Sequence, residues 1–327
     1  MHVYVTRRIH EAGLILLKKA GFKVTVYDKD RIIDRKTLLA QAKGKDAILS
    51  LLTDKMNAEV FAAAGPQLKI VANYSVGFDN IDLKAAAAAH VIATNTPSDK
   101  VNESVAEFTF ALMLALARRI PEADHFAKRG KYHGFSPTLL NGTDVYGKTL
   151  GLIGAGRIGG MVARRAFHGF GMKLIYSDMR PNSILEKEVR AKKVSMQTLL
   201  KKADFVSLHV PLLPSTRHLI STKEFALMKK TAFLVNTARG PVVDEKALLK
   251  ALANKKIAGA ALDVFENEPA IDCDLSDNLE LKAFENVILT PHIASATEEA
   301  RREMSEIAAK NIIAVLRNKK PLSPVGA

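Results

Sequence analysis

Twice along the chain, short β-branched runs take turns with Ala-, Leu- and Lys-rich helical segments, an alternation that restricts the fold to α/β architecture with mostly parallel sheets. The first series runs from Val3 to about Pro97, as HVYVT, EAGLILLKKA, KVTVY, TLLAQAK, DAILSLL, AEVFAAA, KIVANYS, DLKAAAAAH and VIATN. The second begins at Thr149 and holds six strand-like runs, TLGLIG, KLIYSD, DFVSLHV, AFLVNTA, IAGAALDVF and NVILTPH. Six such strands are what a dinucleotide-binding sheet requires. Between the series, Val101 to about Gly130 reads as one long crossover helix leading into a linker, HGFSPTLLNGTDVYG. Past His292, Ala296 to Leu316 reads as a helix with acids early and cations late, as the helix dipole favours. The expectation is two doubly wound parallel-sheet domains. The long helices return the chain to the first sheet, so one domain is discontinuous, 1–98 plus 294–327, around a second at 99–293.

A chain of 327 residues suits about two domains. Its 48% apolar and 25% charged residues exclude a disordered chain. Cys273 is the only cysteine, which leaves no internal disulfide and no thiolate-clustered metal, and a reducing, cytoplasmic setting is expected. The opening MHVYVTRRIH has no apolar export segment. FTFALMLALA, at ten residues, is about half of what a bilayer span needs and reads as a buried helix. A formal charge of +14 suits anionic ligands or plain solubility. The cations are scattered, in pairs such as Lys18-Lys19 and Lys319-Lys320, without a nucleic-acid motif or aromatic platform, so they read as solvated faces, and neither nucleic acid nor membrane is an expected partner.

Gly154-Ala155-Gly156-Arg157-Ile158-Gly159 follows the strand TLGLI and opens the helix RIGGMVARRAF. Glycine is needed first for a tight turn, second for close approach of a pyrophosphate, and third for packing of helix on strand, while the helix N-terminus supplies N–H donors. Asp178, nineteen residues after Gly159, closes KLIYSD where a carboxylate accepts from the adenosine ribose. That acid favours NAD(H) by repelling a 2′-phosphate; Arg180 beside it leaves NADP(H) open.

Other strand ends also carry polar residues: His209, Arg239, Asp263 and His292. Singly, each has an ordinary structural reading; together they sit where open α/β sheets bind ligands. Arg239, before Gly240, has the planar fork to hold a carboxylate. His292 follows Pro291, which keeps the preceding residue extended, and it is placed to serve as a general acid if a carboxylate holds it protonated. Glu266 and Glu268 of ENEP both lie at suitable spacing for that carboxylate. In the first series, NYSVGFDNID ends a strand with Ser75 and Gly77, and its backbone N–H groups can form a nest for an anionic 2-oxo acid.

These residues and the segments LLTDKMNAEVF, NYSVGFDNIDL, VAEFTFALMLALARRIPEA, DVYGKTLGLIGAGRIG, DFVSLHVPLLPSTRHLI, LVNTARGPVVDEKAL, GAALDVFENEP and ILTPHIASAT resemble the D-isomer-specific 2-hydroxyacid dehydrogenases, most of all the glyoxylate and hydroxypyruvate reductase branch. The resemblance spans nearly the whole chain. It implies a flavodoxin-like substrate domain, a Rossmann dinucleotide-binding domain, an active site in a cleft between them, and homodimers. By motif position it implies Arg239 as the substrate-binding arginine, His292 as the acid/base and Glu268 as its partner. It further implies that Asp263 contacts the nicotinamide carboxamide, that Val76 and Gly77 donate to the substrate carboxylate, and that Thr109, Pro211, Thr216 and Thr237 line the cofactor. No metal is implied. The expected activity is NAD(P)H-dependent reduction of a small 2-oxo acid, glyoxylate or hydroxypyruvate, to the D-2-hydroxy acid. The alternatives are a dinucleotide-sensing protein like the co-repressors that resemble this family, or a dehydrogenase of larger 2-hydroxy acids. Tyr132 and Phe135 stand where members of the branch often carry tryptophan, and the chain has none. With so little sequence after the last helix, a regulatory domain like that of long phosphoglycerate dehydrogenases is not expected.

Overall fold

The computed structural model describes residues 1–267 and 279–326, and these form two compact units. The first comprises Met1–Val101 and the chain from Ala296 onward; the second holds the described residues from Asn102 to Ser295.

The first unit is a five-stranded parallel sheet of β1 (His2–Val5), β2 (Lys23–Val26), β3 (Ala47–Ser50), β4 (Ile70–Asn73) and β5 (Ile92–Thr94), in the order β2-β1-β3-β4-β5. This is the flavodoxin-like order. β3 and β4 lie inside the sheet and are buried along their whole length, whereas edge strand β2 is only half-buried. That is why AILS and IVAN read as continuous rather than alternating runs. The strands are joined by α1 (Glu11–Lys19), α2 (Arg35–Ala42), α3 (Ala58–Ala64) and α4 (Leu83–Ala88). Asp34, Asn57 and Asp82 cap the last three by accepting from the amide three residues on.

The crossover segment departs from the single helix expected of it. It forms α5 (Asp99–Ala117) and α6 (Ile120–Lys128), parted by Arg119 in the left-handed region at φ 54°. Pro121 falls in the first turn of α6, where its missing N–H costs nothing, and the Arg119 guanidinium pairs with Glu122 at 2.7 Å.

The second unit contains β6 (Thr149–Ile153), α7 (Arg157–Phe170), β7 (Lys173–Ser177), α8 (Ser183–Val189), β8 (Lys192–Lys193), α9 (Met196–Lys202), β9 (Phe205–Leu208), α10 (Thr222–Leu227), β10 (Phe233–Asn236), α11 (Glu245–Ala253), β11 (Gly259–Leu262), α12 (Leu279–Lys282) and β12 (Val287–Leu289). Its parallel sheet has seven strands, not six, in the order β12-β11-β10-β9-β6-β7-β8. The extra one is β8, two exposed lysines pairing with β7 at the sheet edge. From β8 through β11 the order is that of a Rossmann sheet, with β12 added beyond it. Leu150, Leu152, Val206, Leu208, Leu234 and Val235 are fully buried and join the cores on the two faces of this sheet. The chain then returns to the first unit as α13 (Glu298–Leu316), capped by Thr297. No helix among the described residues is long and apolar enough to cross a membrane.

Candidate active site

Strand order in the second unit reverses at β6 and β9, and ligands of open parallel sheets lie past the carboxyl ends of strands at such a point. There Gly154 leaves β6 at φ 93°, and a Cβ on it would lie 2.6 Å from the His209 carbonyl oxygen. A Cβ on Gly159 would lie 2.3 Å from the Gly154 carbonyl oxygen. The first and third glycines therefore let turn, strand and helix close on one another. Gly156 differs, since a Cβ there would meet no protein atom within 4 Å. The backbone N–H groups of Arg157, Ile158 and Gly159 behind it find no acceptor among the described residues. Open space at a helix N-terminus, faced by unpaired amides, fits the pyrophosphate of a dinucleotide.

The loop is braced from β7. Asp178 accepts from the Ala155 amide at 2.7 Å, and Asn182 donates to the Ala155 carbonyl at 2.7 Å. Asn182 was not evident as a brace because its local role, capping α8 at Leu185, already accounts for an Asn there. His209, just past β9, bonds the Ser207 hydroxyl through Nε2 at 2.9 Å, and burial of its ring pushes its pKa down to about 4. It is neutral beside the glycine loop. Thr216 ties the next loop by donating to the Pro211 carbonyl and accepting from the Leu213 amide, both at 2.7 Å. Thr109 and Thr237 are buried and bond each other through their hydroxyls at 2.9 Å, and Thr109 also donates to the Val105 carbonyl.

Half-buried Arg239 lies past β10 in extended conformation, with Nη1 donating to the Ala238 carbonyl at 2.7 Å. Buried Asn236 holds this turn from within. Its Nδ2 donates to the Arg239 carbonyl and its Oδ1 accepts from the Ala238 amide, both at 3.0 Å. An Asn ending an otherwise apolar strand was the available signal, since Asn is depleted in strands. Gly240 follows with no room for a Cβ against the Phe265 carbonyl.

The chain does not continue extended through His292, which sits at φ 53° just past β12. Its amide donates to the carbonyls of Asp263 and Thr290, at 2.9 and 3.0 Å. Asp263 is almost wholly buried at the end of β11, and its carboxylate accepts from the Thr290 hydroxyl at 2.6 Å and the amides of Ile293 and Ala294 at 2.9 and 2.8 Å. Burial pushes its pKa up; those hydrogen bonds and the nearby His292 pull the other way. Glu266, one of two sequence candidates to pair with His292, is engaged elsewhere. It bonds His218 Nε2 at 2.5 Å and accepts from the Glu245 amide at the start of α11. Glu268, the other candidate, lies outside the described residues, as does Cys273.

In the first unit, Val76 and Gly77 follow β4 in a loop where three successive backbone carbonyls, those of Ser75, Val76 and Gly77, are taken. Ser75 accepts from the Thr96 amide at 2.9 Å, Val76 from Asn95 Nδ2 at 2.7 Å and Gly77 from Asn73 Nδ2 at 2.8 Å. The N–H groups of Val76 and Gly77 have no acceptor among the described residues.

The Rossmann order, the glycine loop and the acid at the end of β7 define a dinucleotide-binding protein. Residues 110–294 match the NAD-binding domain of the D-isomer specific 2-hydroxyacid dehydrogenases, and the chain belongs to that family. It is 47% identical over 320 residues to a glyoxylate reductase of Korarchaeum cryptofilum, covering 98% of this chain and 94% of that one. Among solved structures, the TT0316 protein of Thermus thermophilus superposes with a TM-score of 0.91 at 39% identity over the whole of both chains. The NADPH-dependent glyoxylate/hydroxypyruvate reductase of Sinorhizobium meliloti, solved with NADP and malonate, gives 0.82 at 31% identity over 99% of this chain and 96% of that one.

Proposed function

We propose that the chain reduces glyoxylate or hydroxypyruvate to the D-2-hydroxy acid. The observation that carries this reading is the joint presence of a dinucleotide-ready glycine loop and, on the same sheet, Arg239 and His292 at the ends of β10 and β12, in a chain so similar to a glyoxylate reductase. When bound, the reduced dinucleotide supplies the hydride. Arg239 holds the substrate carboxylate through its planar fork and polarises the neighbouring carbonyl. Val76 and Gly77 offer backbone N–H donors to the same carboxylate. An imidazole nitrogen of His292 gives its proton to the carbonyl oxygen, and Glu268 is the acid partner by motif position. Asp178 supports NAD(H) as the preferred cofactor, with NADP(H) usable, as the relative from Sinorhizobium meliloti illustrates. A homodimer is part of this reading, supported by Tyr132, Phe135 and Tyr146, exposed to 62%, 90% and 77% around one linker. A cytoplasmic location is supported by the single cysteine.

The test is loss of dihydronicotinamide absorbance with glyoxylate, hydroxypyruvate, pyruvate and phenylpyruvate, each with NADH and NADPH. Rapid turnover with one of the first two is expected. Tight cofactor binding without turnover across the panel would replace the reductase by a dinucleotide sensor.

A further inference from the structure

We propose that Asn73 and Asn95 are positioning residues that aim three consecutive amides, those of Val76, Gly77 and Phe78, at the substrate carboxylate. The inference rests on the reading of Val76 and Gly77 as carboxylate donors and extends it to the groups that give them their direction.

The argument starts from the peptide bond. In a trans peptide the carbonyl of one residue and the N–H of the next point in opposite directions, so fixing one fixes the other. Thr96 N, Asn95 Nδ2 and Asn73 Nδ2 draw the carbonyls of Ser75, Val76 and Gly77 toward the protein, at 2.9, 2.7 and 2.8 Å. The N–H groups of Val76, Gly77 and Phe78 must therefore face away from those donors, and none of the three has an acceptor among the described residues. Three adjacent amides turned the same way form an anion-binding concavity. Phe78 is thereby added as a third donor.

Both asparagines are themselves fixed. Asn73 is fully buried; its Oδ1 accepts from the Ser50 hydroxyl at 3.1 Å, and its Nδ2 also donates to Asn80 Oδ1 at 3.0 Å. Asn80 in turn donates to the carbonyls of Leu51 and Asp54, which joins the loops after β3 and β4. Asn95 is anchored by the C-terminal tail: its carbonyl accepts from the Ser323 hydroxyl at 2.6 Å and from Asn311 Nδ2 at 3.3 Å, and Asn311 Oδ1 receives the amides of Leu322 and Ser323. A buried amide that gives its only described side-chain donation to a loop carbonyl has little to do besides set that loop's direction.

Asn95→Leu removes the donor while keeping the number and branching of side-chain heavy atoms and adds no charge, and Asn95→Ser removes its reach with a smaller side chain. Steady-state kinetics with glyoxylate, inhibition by oxalate and NADH fluorescence titration test the role. We expect KM for glyoxylate and the oxalate inhibition constant to rise together by about tenfold, the loss of one well-placed hydrogen bond to a charged group. We expect kcat to stay within about threefold and the NADH dissociation constant to stay unchanged, the pattern of lost substrate binding. KM within twofold of the wild type in a folded variant overturns the proposal. So does a parallel fall of kcat, NADH affinity and thermal midpoint, or failure of both variants to fold, since either marks Asn95 as merely structural. A wild-type chain that turns over none of the four acids refutes the substrate reading itself, a result distinct from active enzyme with an unmoved KM.

Discussion

Asp263 grips the segment carrying His292 from two sides: its backbone carbonyl accepts the His292 amide at 2.9 Å, and its buried carboxylate accepts the next two amides, of Ile293 and Ala294. The left-handed conformation of His292 is thus held by an acid twenty-nine residues earlier in the chain. Asp263→Asn puts an N–H group where at least one of these amides needs an acceptor. We expect kcat/KM to fall by about 10²-fold through misplacement of His292, the proposed acid/base, with NADH binding less affected. Steady-state kinetics beside a cofactor titration check this; kcat/KM within twofold of wild type would remove Asp263 from the support of His292.

The alternation of strands and helices was enough to read both sheets, because each βα unit announces its period locally. What escaped was local exception or distant partnership. β8 is two exposed lysines whose strand character comes wholly from pairing with Ile175 and Tyr176. The break between α5 and α6 depends on Arg119 at positive φ, a position with no glycine to mark it. Gly154, Gly156 and Gly159 were legible since they follow one another at fixed spacing between a strand and a helix, although Gly154 meets His209 only across the sheet and Gly156 meets no protein atom. The engagement of Glu266 with His218, forty-eight residues away, and of Asp263 with Ala294, thirty-one away, has no trace in spacing.

The three glycines separate folding from cofactor binding. Gly159→Ala forces a Cβ onto the Gly154 carbonyl, so a stability loss of about 1–3 kcal/mol is expected from the overpacking. Gly156→Ala meets no protein atom, so its thermal midpoint should match the wild type while NADH affinity drops at least about tenfold as the methyl group enters the space before the helix amides. Thermal melting with and without NADH reads both. A Gly156→Ala protein that binds NADH normally would place the pyrophosphate elsewhere.

His209 makes the fold sensitive to acid. Its pKa is pushed down to about 4 by burial, against about 6.5 in an unfolded chain. Between those values the unfolded state binds the extra proton, so this residue's contribution is complete above about pH 6.5 and is lost as the pH falls toward 4. Urea unfolding at pH 7 and pH 4.5 should show the wild type losing about 2–3 kcal/mol more than His209→Asn. Equal losses would mean that the ring is charged in the folded protein.

Asp178 has one task seen in the structure and one proposed for it, and they predict different consequences of one substitution. Its Oδ2 accepts from the Ala155 amide and so braces the glycine loop, which either cofactor needs. Its charge opposes a 2′-phosphate, which only NADPH carries. Asp178→Ala should therefore weaken NADH by loss of both the brace and the ribose hydrogen bonds. NADPH loses the brace but is freed from repulsion, and the exposed Arg180 two residues on gains a phosphate to pair with. We expect the ratio of kcat/KM for NADPH to that for NADH to rise at least about tenfold, the scale of a hydrogen bond to a charged group, even if both absolute values fall. Parallel assays with the two cofactors measure the ratio. An unchanged ratio would confine Asp178 to bracing the loop and move cofactor selectivity to another part of the site.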